Sequence, residues 1–186
     1  MRYKISSNEI LEKDIVNILK TTTIKQEPNI PFPQANDFEK VVDLLGFLND
    51  SELEQEEITL NFSFDQRQAH YYTRAAKYLN LVEKKNNKYQ LTKLGNKIIN
   101  SDFKDKYLSL ISKILEHEVF NKTLKKYFND NNNISKNDVI KIMKKSQIYN
   151  SKTKNFEKLS ESTIERRSQT VLKWIEWIVK QIYKND

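Results

Sequence analysis

The stretch that decides the fold is DQRQAHYYTRAAKYLNLVEKKNNKYQL, residues 65–91. Its first part has apolar residues at the spacing of one helix face, which predicts a helix over residues 65–79 whose inner stripe is Ala69, Tyr72, Ala75, Ala76 and Leu79. Its second part holds two short extended segments, 81–83 and 89–91, on either side of a turn rich in Lys and Asn. That pattern predicts a β-hairpin, because Asn tolerates the conformations that a tight turn needs. The stretch therefore predicts a long exposed helix followed by a hairpin with a basic tip.

Helical patterns also lie on the N-terminal side of this stretch. Residues 37–49 carry an apolar stripe, with Asn36 as the expected N-cap, and residues 54–61 predict a shorter helix. A further helix is expected over residues 7–20, and the Pro-containing segment 21–36 is expected to be a linker or a strap over the surface. The order of helix, short helix, longer exposed helix and basic hairpin is that of a winged helix-turn-helix.

The second half of the chain repeats this order less regularly. Its expected elements are helices over residues 92–99, 107–116, 119–128 and 136–145, and a loop over residues 146–159. Ser162 is the expected N-cap of a final long helix, with Glu165 completing a capping box. Because that helix opens with Arg166 and Arg167 and follows a short helix, the pattern indicates a second helix-turn-helix unit.

The predicted fold class is therefore mainly α, with tandem helix-turn-helix units, the first a winged helix with a small β-hairpin. Three parts are expected along the chain. They are an N-terminal helix and Pro-containing linker over residues 1–34, a winged helix-turn-helix domain over residues 35–101, and a second helical domain over residues 102–186.

Charge is distributed unevenly over the 186 residues, whose formal net charge is +7. Residues 1–59 hold 6 Lys and Arg against 12 Asp and Glu, residues 60–100 hold 8 against 2, and residues 101–186 hold 18 against 11. The acidic segment ends just before the predicted long helix. A basic region of this kind is the electrostatic signature of a protein that binds a polyanion, although a Lys-rich composition by itself also fits a solvated surface.

Several kinds of catalytic site are disfavoured by composition. The chain has no cysteine and only two histidines, His70 and His117, so no thiolate metal site or cysteine nucleophile exists. Gly46 and Gly95 are isolated and make no phosphate-binding glycine loop. We expect no cofactor, no metal and no catalytic site in this chain.

Two acidic patterns resemble metal sites and are better explained as surface. Glu83 and Lys85 have the Glu-x-Lys spacing of some nucleases, with Asp65 upstream, but the first two would lie on the hairpin and Asp65 would begin a helix. The run Glu52, Glu54, Glu56 and Glu57 is expected to be the solvated start of a helix, where negative charge is favourable.

The segment from Phe64 to Glu83, followed by Leu91-Thr92-Lys93-Leu94-Gly95, resembles a winged-helix region of bacterial restriction-modification and related DNA-processing proteins. The segment from Leu159 to Arg167, continuing to Val171, Trp174 and Trp177, is similar to the end of that region. The resemblance covers residues 34–180. It implies DNA recognition beside a separate nuclease domain or subunit, as in a type II restriction endonuclease, and it brings no catalytic residues with it.

The candidate DNA contacts follow from the two predicted recognition helices. Arg and Gln suit bidentate contacts to guanine and adenine, although they also keep an exposed helix soluble. The base-contact candidates are Arg67, Gln68, Tyr71 and Arg74 in the first unit and Thr163, Arg166, Arg167 and Thr170 in the second. The backbone candidates are His70, Lys77, Lys84, Lys85, Lys88, Lys152 and Lys154.

Two aromatic pairs lie in the predicted recognition helices, and each side chain is expected to face either the core or the surface. Tyr71 and Tyr72 are adjacent and cannot both face inward, so one is expected to pack and the other to be available to a phosphate or a base. Trp174 and Trp177 are expected to be core or interface, because aromatic residues at helical spacing usually are.

Three functions remain open at this point. The first is the double-stranded DNA recognition module of a restriction-modification-type system, the second a stand-alone transcriptional regulator that binds as a homodimer, and the third a protein-interaction adaptor using the acidic segment and the tryptophans. No basic stretch followed by an apolar run begins the chain, and no window approaches about 18 consecutive apolar residues. A cytoplasmic protein without membrane contact is expected.

Overall fold

The chain folds into helices joined by two small antiparallel hairpins, in a computed structural model that describes residues 9–62 and 65–182. The helices in these residues are α1 (Glu12–Thr21), α2 (Phe38–Asp50), α3 (Gln55–Asn61), α4 (Gln66–Tyr78), α5 (Lys93–Ile99), α6 (Phe103–Leu115), α7 (Glu118–Asn129), α8 (Lys136–Met143) and α9 (Glu161–Lys180). The strands are β1 (Val82–Lys85), β2 (Lys88–Leu91), β3 (Ile148–Asn150) and β4 (Asn155–Glu157). The mainly helical class and the small hairpin after the long helix are confirmed.

Helix α4 forms where the stretch 65–91 predicts it, and its ends have clear local causes. The Asp65 carboxylate accepts a hydrogen bond from the Gln68 backbone N–H at 2.7 Å and so caps the first turn. At the other end Asn80 adopts φ 58° and the backbone N–H of Leu81 donates to the carbonyl of Ala76, which is a Schellman motif. All five residues of the predicted inner stripe are buried.

The hairpin of β1 and β2 closes through a two-residue turn. Asn86 and Asn87 have φ values of 47° and 66°, and Lys85 pairs with Lys88 across the turn. Positive φ at both positions is the type I′ geometry that matches strand twist, which explains the Asn-Asn sequence. Between α2 and α3, Leu53 adds a short bridge to this sheet by exchanging backbone hydrogen bonds with Tyr89 at 3.1 and 2.7 Å.

Three local expectations are wrong. Asp37 caps α2 by accepting from the Glu39 N–H at 3.1 Å, whereas Asn36 turns away and accepts from another helix. Helix α9 begins at Glu161 with Ser160 as its N-cap, so the Ser162 capping box does not form, and Glu165 instead pairs with Lys136. A second hairpin replaces the loop expected over residues 146–159.

Helix α6 begins at Phe103, four residues before its expected start. Residues 7 and 8 of the predicted first helix, and Ser63 and Phe64 of the predicted turn, lie outside the described residues.

The buried apolar residues form one cluster that runs through all three predicted parts of the chain. Trp174 of α9 is fully buried, with its ring centroid 4.8 Å from that of Phe38 and 4.9 Å from that of Phe120. Phe32, in the Pro-containing segment, stacks on Phe120 at 5.3 Å. The core placement of Trp174 and Trp177 is confirmed, and the three-part division of the chain stays a prediction.

The helices of residues 9–62 and 65–182 do not meet the requirements of a membrane span. None combines the length and the apolar content that crossing a bilayer needs.

Candidate nucleic-acid interface

The outward face of α4 carries the first group of candidate contacts. Arg67, Gln68 and His70 are exposed, and Tyr71, Arg74 and Lys77 are half-buried. Tyr72 is buried, so the two adjacent tyrosines divide between surface and core as expected. Thr73, between Tyr72 and Arg74, is 1% exposed and donates its hydroxyl to the Ala69 carbonyl at 2.9 Å.

Arg67 and Tyr71 form a pair one helical turn apart. The Arg67 Nε donates to the Tyr71 hydroxyl at 2.5 Å, and the guanidinium carbon lies 5.6 Å from the ring centroid. No carboxylate of the described residues forms an ion pair with this guanidinium, so its other N–H groups remain available as donors to an acceptor-rich ligand. The pair therefore presents a positioned donor at the start of α4.

His70, Arg74 and Lys77 lie on the neighbouring strip of α4. An Arg74 N–H contacts His70 Nε2, and since a guanidinium can only donate, this imidazole nitrogen accepts and the ring is neutral. Although His70 is exposed as a residue, partial desolvation of its ring, followed by the positive charges of Arg74, Lys77 and Lys84, lowers its pKa below the usual value. Lys84 belongs to β1, so α4 and the hairpin share one positive field.

The hairpin lysines differ in their surroundings although all three are exposed. Lys85 forms an ion pair with Glu83 at 2.7 Å, whereas Lys84 lies over the Tyr89 ring, 5.0 Å from its centroid. Lys88 is exposed at the turn. Glu83 also accepts a hydrogen bond from the Gln90 side chain at 2.9 Å. The two residues with the Glu-x-Lys spacing therefore form a surface ion pair. Hydrogen bonds from Lys85 and Gln90 lower the pKa of Glu83.

The start of α9 carries the second group of candidates. Arg166 is exposed, and its Nε donates to the Ser162 carbonyl at 3.3 Å. Thr163 is half-buried and accepts from the Ser160 hydroxyl at 2.9 Å. Thr170 is wrong as a base contact, because it is fully buried and donates to the Asn36 side chain at 2.7 Å.

Arg167 joins the second group to the first. Burial, followed by repulsion from Arg166 and Arg74, lowers the pKa of Arg167 to about 10, against an opposing effect of Tyr71. Arg74 and Tyr71 belong to α4, so the start of α9 lies beside α4. Arg74 and Arg167, 93 residues apart in sequence, are therefore close enough for their charges to repel each other.

Packing around the start of α2 explains this neighbourhood. The Thr170 hydroxyl, about one helical turn after Arg167, donates a hydrogen bond to the Asn36 side chain. About one turn later, the Trp174 indole N–H donates to the Ala35 carbonyl at 2.7 Å. Tyr72 of α4 hydrogen-bonds the backbone of Asp37. Because both helices pack on residues 35–37, Arg74 of α4 and Arg167 of α9 come together beside those contacts.

The cations on these faces of α4 and α9 have no carboxylate partners among the described residues. In residues 9–62 and 65–182, no carboxylate lies within 4 Å of a charged nitrogen of the arginines and lysine on α4 and α9, namely Arg67, Arg74, Lys77, Arg166 and Arg167. Some lysines of α7 to α9 are paired, as Lys122 is with Glu118 and Lys126 with Asp130, whereas Lys125, Lys141 and Lys180 have no carboxylate partner among the described residues either. An unpaired cationic surface, hereafter the basic face, therefore comprises Arg67, Arg74, Lys77, Arg166 and Arg167.

Lys152 and Lys154 lie on the turn between β3 and β4 and are exposed. Lys154 adopts φ 56°, and its backbone N–H donates to the Asn150 carbonyl at 2.8 Å. A backbone contact of these two lysines with DNA stays a prediction.

The acidic patterns have structural roles. Asp65 caps α4, and the Glu57 carboxylate accepts from the Glu54 N–H at 2.6 Å at the start of α3. Within the described part of the chain, no group of three or more His, Cys, Asp and Glu residues has the arrangement of a metal site.

Sequence reasoning identified most residues of this surface and missed their grouping. The proximity of Arg167 to Arg74 had no signal in the sequence, because it depends on how α9 packs on residues 35–37. The Pro-containing segment, interpreted as a linker or a strap over the surface, also contributes a wall beside α4, formed by Asn29, Ile30 and Pro31.

Comparison with known proteins gives one family match. Residues 40–183 match a family described as "Domain of unknown function (DUF7226)". Neither a curated protein nor a solved structure matches the chain.

Proposed function

The chain belongs to the DUF7226 family, and we propose that its function is to bind double-stranded DNA through the basic face and the hairpin of β1 and β2. The observation that carries the proposal is the convergence of unpaired cations from α4 and α9 beside an exposed, lysine-bearing hairpin. Unpaired, partly desolvated cations are unfavourable in the free protein, and phosphate groups are ligands that neutralise them.

The order of elements supports a winged helix-turn-helix as the first DNA-binding unit. Helix α2, the Leu53 bridge, α3, α4 and the hairpin follow one another as the helices and wing of such a unit do. In that arrangement α4 enters the major groove and the hairpin lies along the backbone. Arg67, Gln68 and Tyr71 are then placed for base edges, and Lys84, Lys85 and Lys88 for phosphates.

The second helix-turn-helix is proposed in a modified form. Helix α9 packs against α8, but a hairpin separates them instead of a short turn. We infer that Arg166 and Arg167 extend the surface of α4 rather than form an independent recognition helix. A single continuous surface contacts adjacent positions on the duplex, whereas two separate units would contact two separated sites.

In biological terms, the proposed role is that of the DNA-recognition component of a restriction-modification-type system, with nuclease activity on another domain or subunit. The resemblance of residues 34–180 to winged-helix regions of such proteins supports this role. A stand-alone regulator remains the second candidate, and one observation favours it. Phe47 and Leu60 are exposed, and Phe47 contacts Phe62 at 4.7 Å, which leaves an apolar surface suited to a homodimer.

The third candidate function, a protein-interaction adaptor, is weakened by the burial of its two tryptophans. It requires accessible tryptophans, but Trp174 and Trp177 are 0% and 7% exposed. An acidic surface before residue 60 would have to provide the whole interface.

The first test is selection of bound duplexes from a random pool, followed by affinity measurements on the selected sequence over a range of salt concentrations. We expect affinity to fall steeply with added salt, because each lysine or arginine on a phosphate displaces a condensed counterion. The double variant Lys84→Ala and Lys85→Ala should weaken binding about equally on all sequences, since phosphate contacts carry no direct base information. Affinity that is insensitive to salt, or no duplex binding at low salt, would disprove the proposal.

The molecular mass of the protein–DNA complex distinguishes the recognition-component role from that of a stand-alone regulator. Light scattering of the free protein and of its complex gives the number of chains per duplex. A dimer on a palindrome supports a regulator, and a monomer on an asymmetric sequence supports a recognition component.

A further inference from the structure

A small pocket of about 220 Å³ lies beside α4, between that helix and the Pro-containing segment. Asn29, Ile30 and Pro31 form one wall, and His70, Arg74 and Lys77 form the opposite wall. Thr73 and Tyr89 complete the lining, which contains no acidic residue. The pocket is large enough for a phosphate group.

The groups that face His70 are all neutral or positive. Arg74 and Lys77 come from its own helix, Lys84 comes from β1, and Tyr89 from β2 contributes a phenol. The segment 29–31 contributes an amide and apolar atoms. No carboxylate in the described residues lies within 4 Å of the Arg74 or Lys77 nitrogens or of the His70 ring. A neutral imidazole that accepts from Arg74 is the arrangement that minimises repulsion in the absence of an anion.

We propose that this pocket binds one phosphate group, supplied by the DNA backbone, and that His70 takes up a proton from solvent as the phosphate enters. The Arg74 N–H that contacts His70 Nε2 then turns to a phosphate oxygen, and the newly protonated Nε2 donates to another. Lys77 supplies a third donor. This inference rests on the proposed function and deepens it, because it assigns Arg74 to a phosphate instead of a base and makes DNA binding depend on pH.

The direction of the pH dependence follows from linkage. In the free protein, partial desolvation and three cations hold the pKa of His70 below its usual value, and a phosphate in contact raises the pKa in the complex. Affinity therefore rises as the pH falls through the pKa of the complex and levels off below the pKa of the free protein. The gain is about tenfold for each unit by which the phosphate raises the pKa.

The first arm of the test uses a duplex. Affinity of the full chain is measured by fluorescence anisotropy from about pH 8.5 to about pH 5.5, a window that brackets the ordinary pKa of histidine, at constant ionic strength. We expect the wild type to bind more tightly at the acidic end and His70→Gln to lose most of that gain. Lys85→Gln is the matched control, because it removes an exposed hairpin cation outside the pocket and should lower affinity by the same factor at every pH.

The second arm uses inorganic phosphate. The imidazole proton signals of the free protein are followed by NMR over the same pH range, in phosphate and in chloride of equal ionic strength. The signal absent from His70→Gln identifies His70. We expect phosphate to raise the pKa of His70.

The outcomes of the two arms are distinguishable. A duplex that binds with a His70-dependent pH profile supports the pocket with DNA as the source of phosphate, whatever the free ion does. A duplex that binds with the same profile in His70→Gln overturns the pocket and leaves the proposed function standing. If no duplex binds but phosphate raises the pKa, the proposed function fails and the pocket has a free phosphate as its ligand. If neither arm responds, both proposals are wrong.

Discussion

Arg67 and Arg167 show how far residue type alone predicts a role. Both are arginines near the start of a helix, and both are base-contact candidates by sequence. Arg67 is exposed and held by Tyr71, whereas Arg167 is half-buried between other cations and has a pKa lowered to about 10. An arginine in the second environment carries a partly desolvated charge that neighbouring cations repel, and the proposed contact with DNA phosphate would neutralise it.

At the residue scale, Arg167→Met is expected to stabilise the protein and weaken DNA binding together. Met keeps an unbranched side chain and removes a partly desolvated, repelled charge, so we expect the free energy of unfolding to rise by about 0.5–2 kcal/mol. Urea denaturation measures this change. DNA affinity should fall, and its logarithmic dependence on salt should become shallower by about one counterion.

Arg67→Ala is the control for that variant. Its side chain is exposed, so the free energy of unfolding should stay unchanged while sequence preference relaxes at one position. If Arg167→Met lowers the free energy of unfolding, the arginine stabilises the fold through its packing. If the variant binds DNA with unchanged affinity, α9 is not part of the DNA interface.

At the scale of elements, the chain between α4 and α5 is held more closely than its polar sequence indicates. The Leu81 carbonyl accepts from the Thr92 N–H at 3.0 Å, and the Thr92 hydroxyl donates to the Asn80 carbonyl at 2.8 Å. Thr92 also caps α5 by accepting from the Gly95 N–H at 3.0 Å. These bonds draw the first turn of α5 against the end of α4, where only a residue without Cβ fits.

Gly95→Ala is therefore expected to destabilise the fold. A Cβ at this position would lie 2.1 Å from the Leu81 carbonyl oxygen, which is backbone and cannot rotate away. We expect a loss of about 1–3 kcal/mol, the usual cost of overpacking, measured by urea denaturation.

Gly46→Ala provides the matched comparison inside α2. Nothing lies within 4 Å of its ideal Cβ, so we expect a gain of about 0.5–1 kcal/mol from the higher helix propensity of Ala. Equal effects of the two substitutions would mean that Gly95 does not lie against Leu81 in solution.

At the scale of the whole molecule, the Glu39 carboxylate joins three helices. It accepts from the Trp177 indole N–H of α9 at 2.7 Å and from the Tyr107 hydroxyl of α6 at 2.9 Å. Both aromatic side chains are less than 9% exposed. Burial and the bond to Glu39 raise the pKa of Tyr107, which keeps its hydroxyl protonated as a donor.

Glu39→Ala should destabilise the fold by about 1–3 kcal/mol for each donor left without a partner, because buried N–H and O–H groups lose their hydrogen bonds to water. Glu39→Gln keeps one acceptor oxygen and should cost less. Thermal and urea denaturation of the two variants give the comparison. Equal stability of Glu39→Ala and the wild type would show that the three helices are held by apolar packing alone.

Periodicity and turn chemistry were sufficient to predict α4, the β1 and β2 hairpin and the mainly helical class. Five inner positions at helical spacing and an Asn-Asn turn are local properties, so they are readable from neighbouring residues. The second hairpin was missed because each of its strands has only three residues, too few for a clear alternation. The cap of α2 was misplaced by one residue, because Asn36 and Asp37 are both good caps and only tertiary contacts divide their roles.

The sequence by itself determined the helical class, the long exposed helix with its basic hairpin, the core tryptophans and the identity of most exposed cations, because each of these depends on local spacing and charge. Only the tertiary structure decided that Thr170 is buried against Asn36, that Arg167 joins Arg74, and that the Pro-containing segment forms one wall of a basic pocket. The physical reason is that a side chain's burial and pairing depend on what packs against it. For this surface those partners lie as many as 134 residues away along the chain.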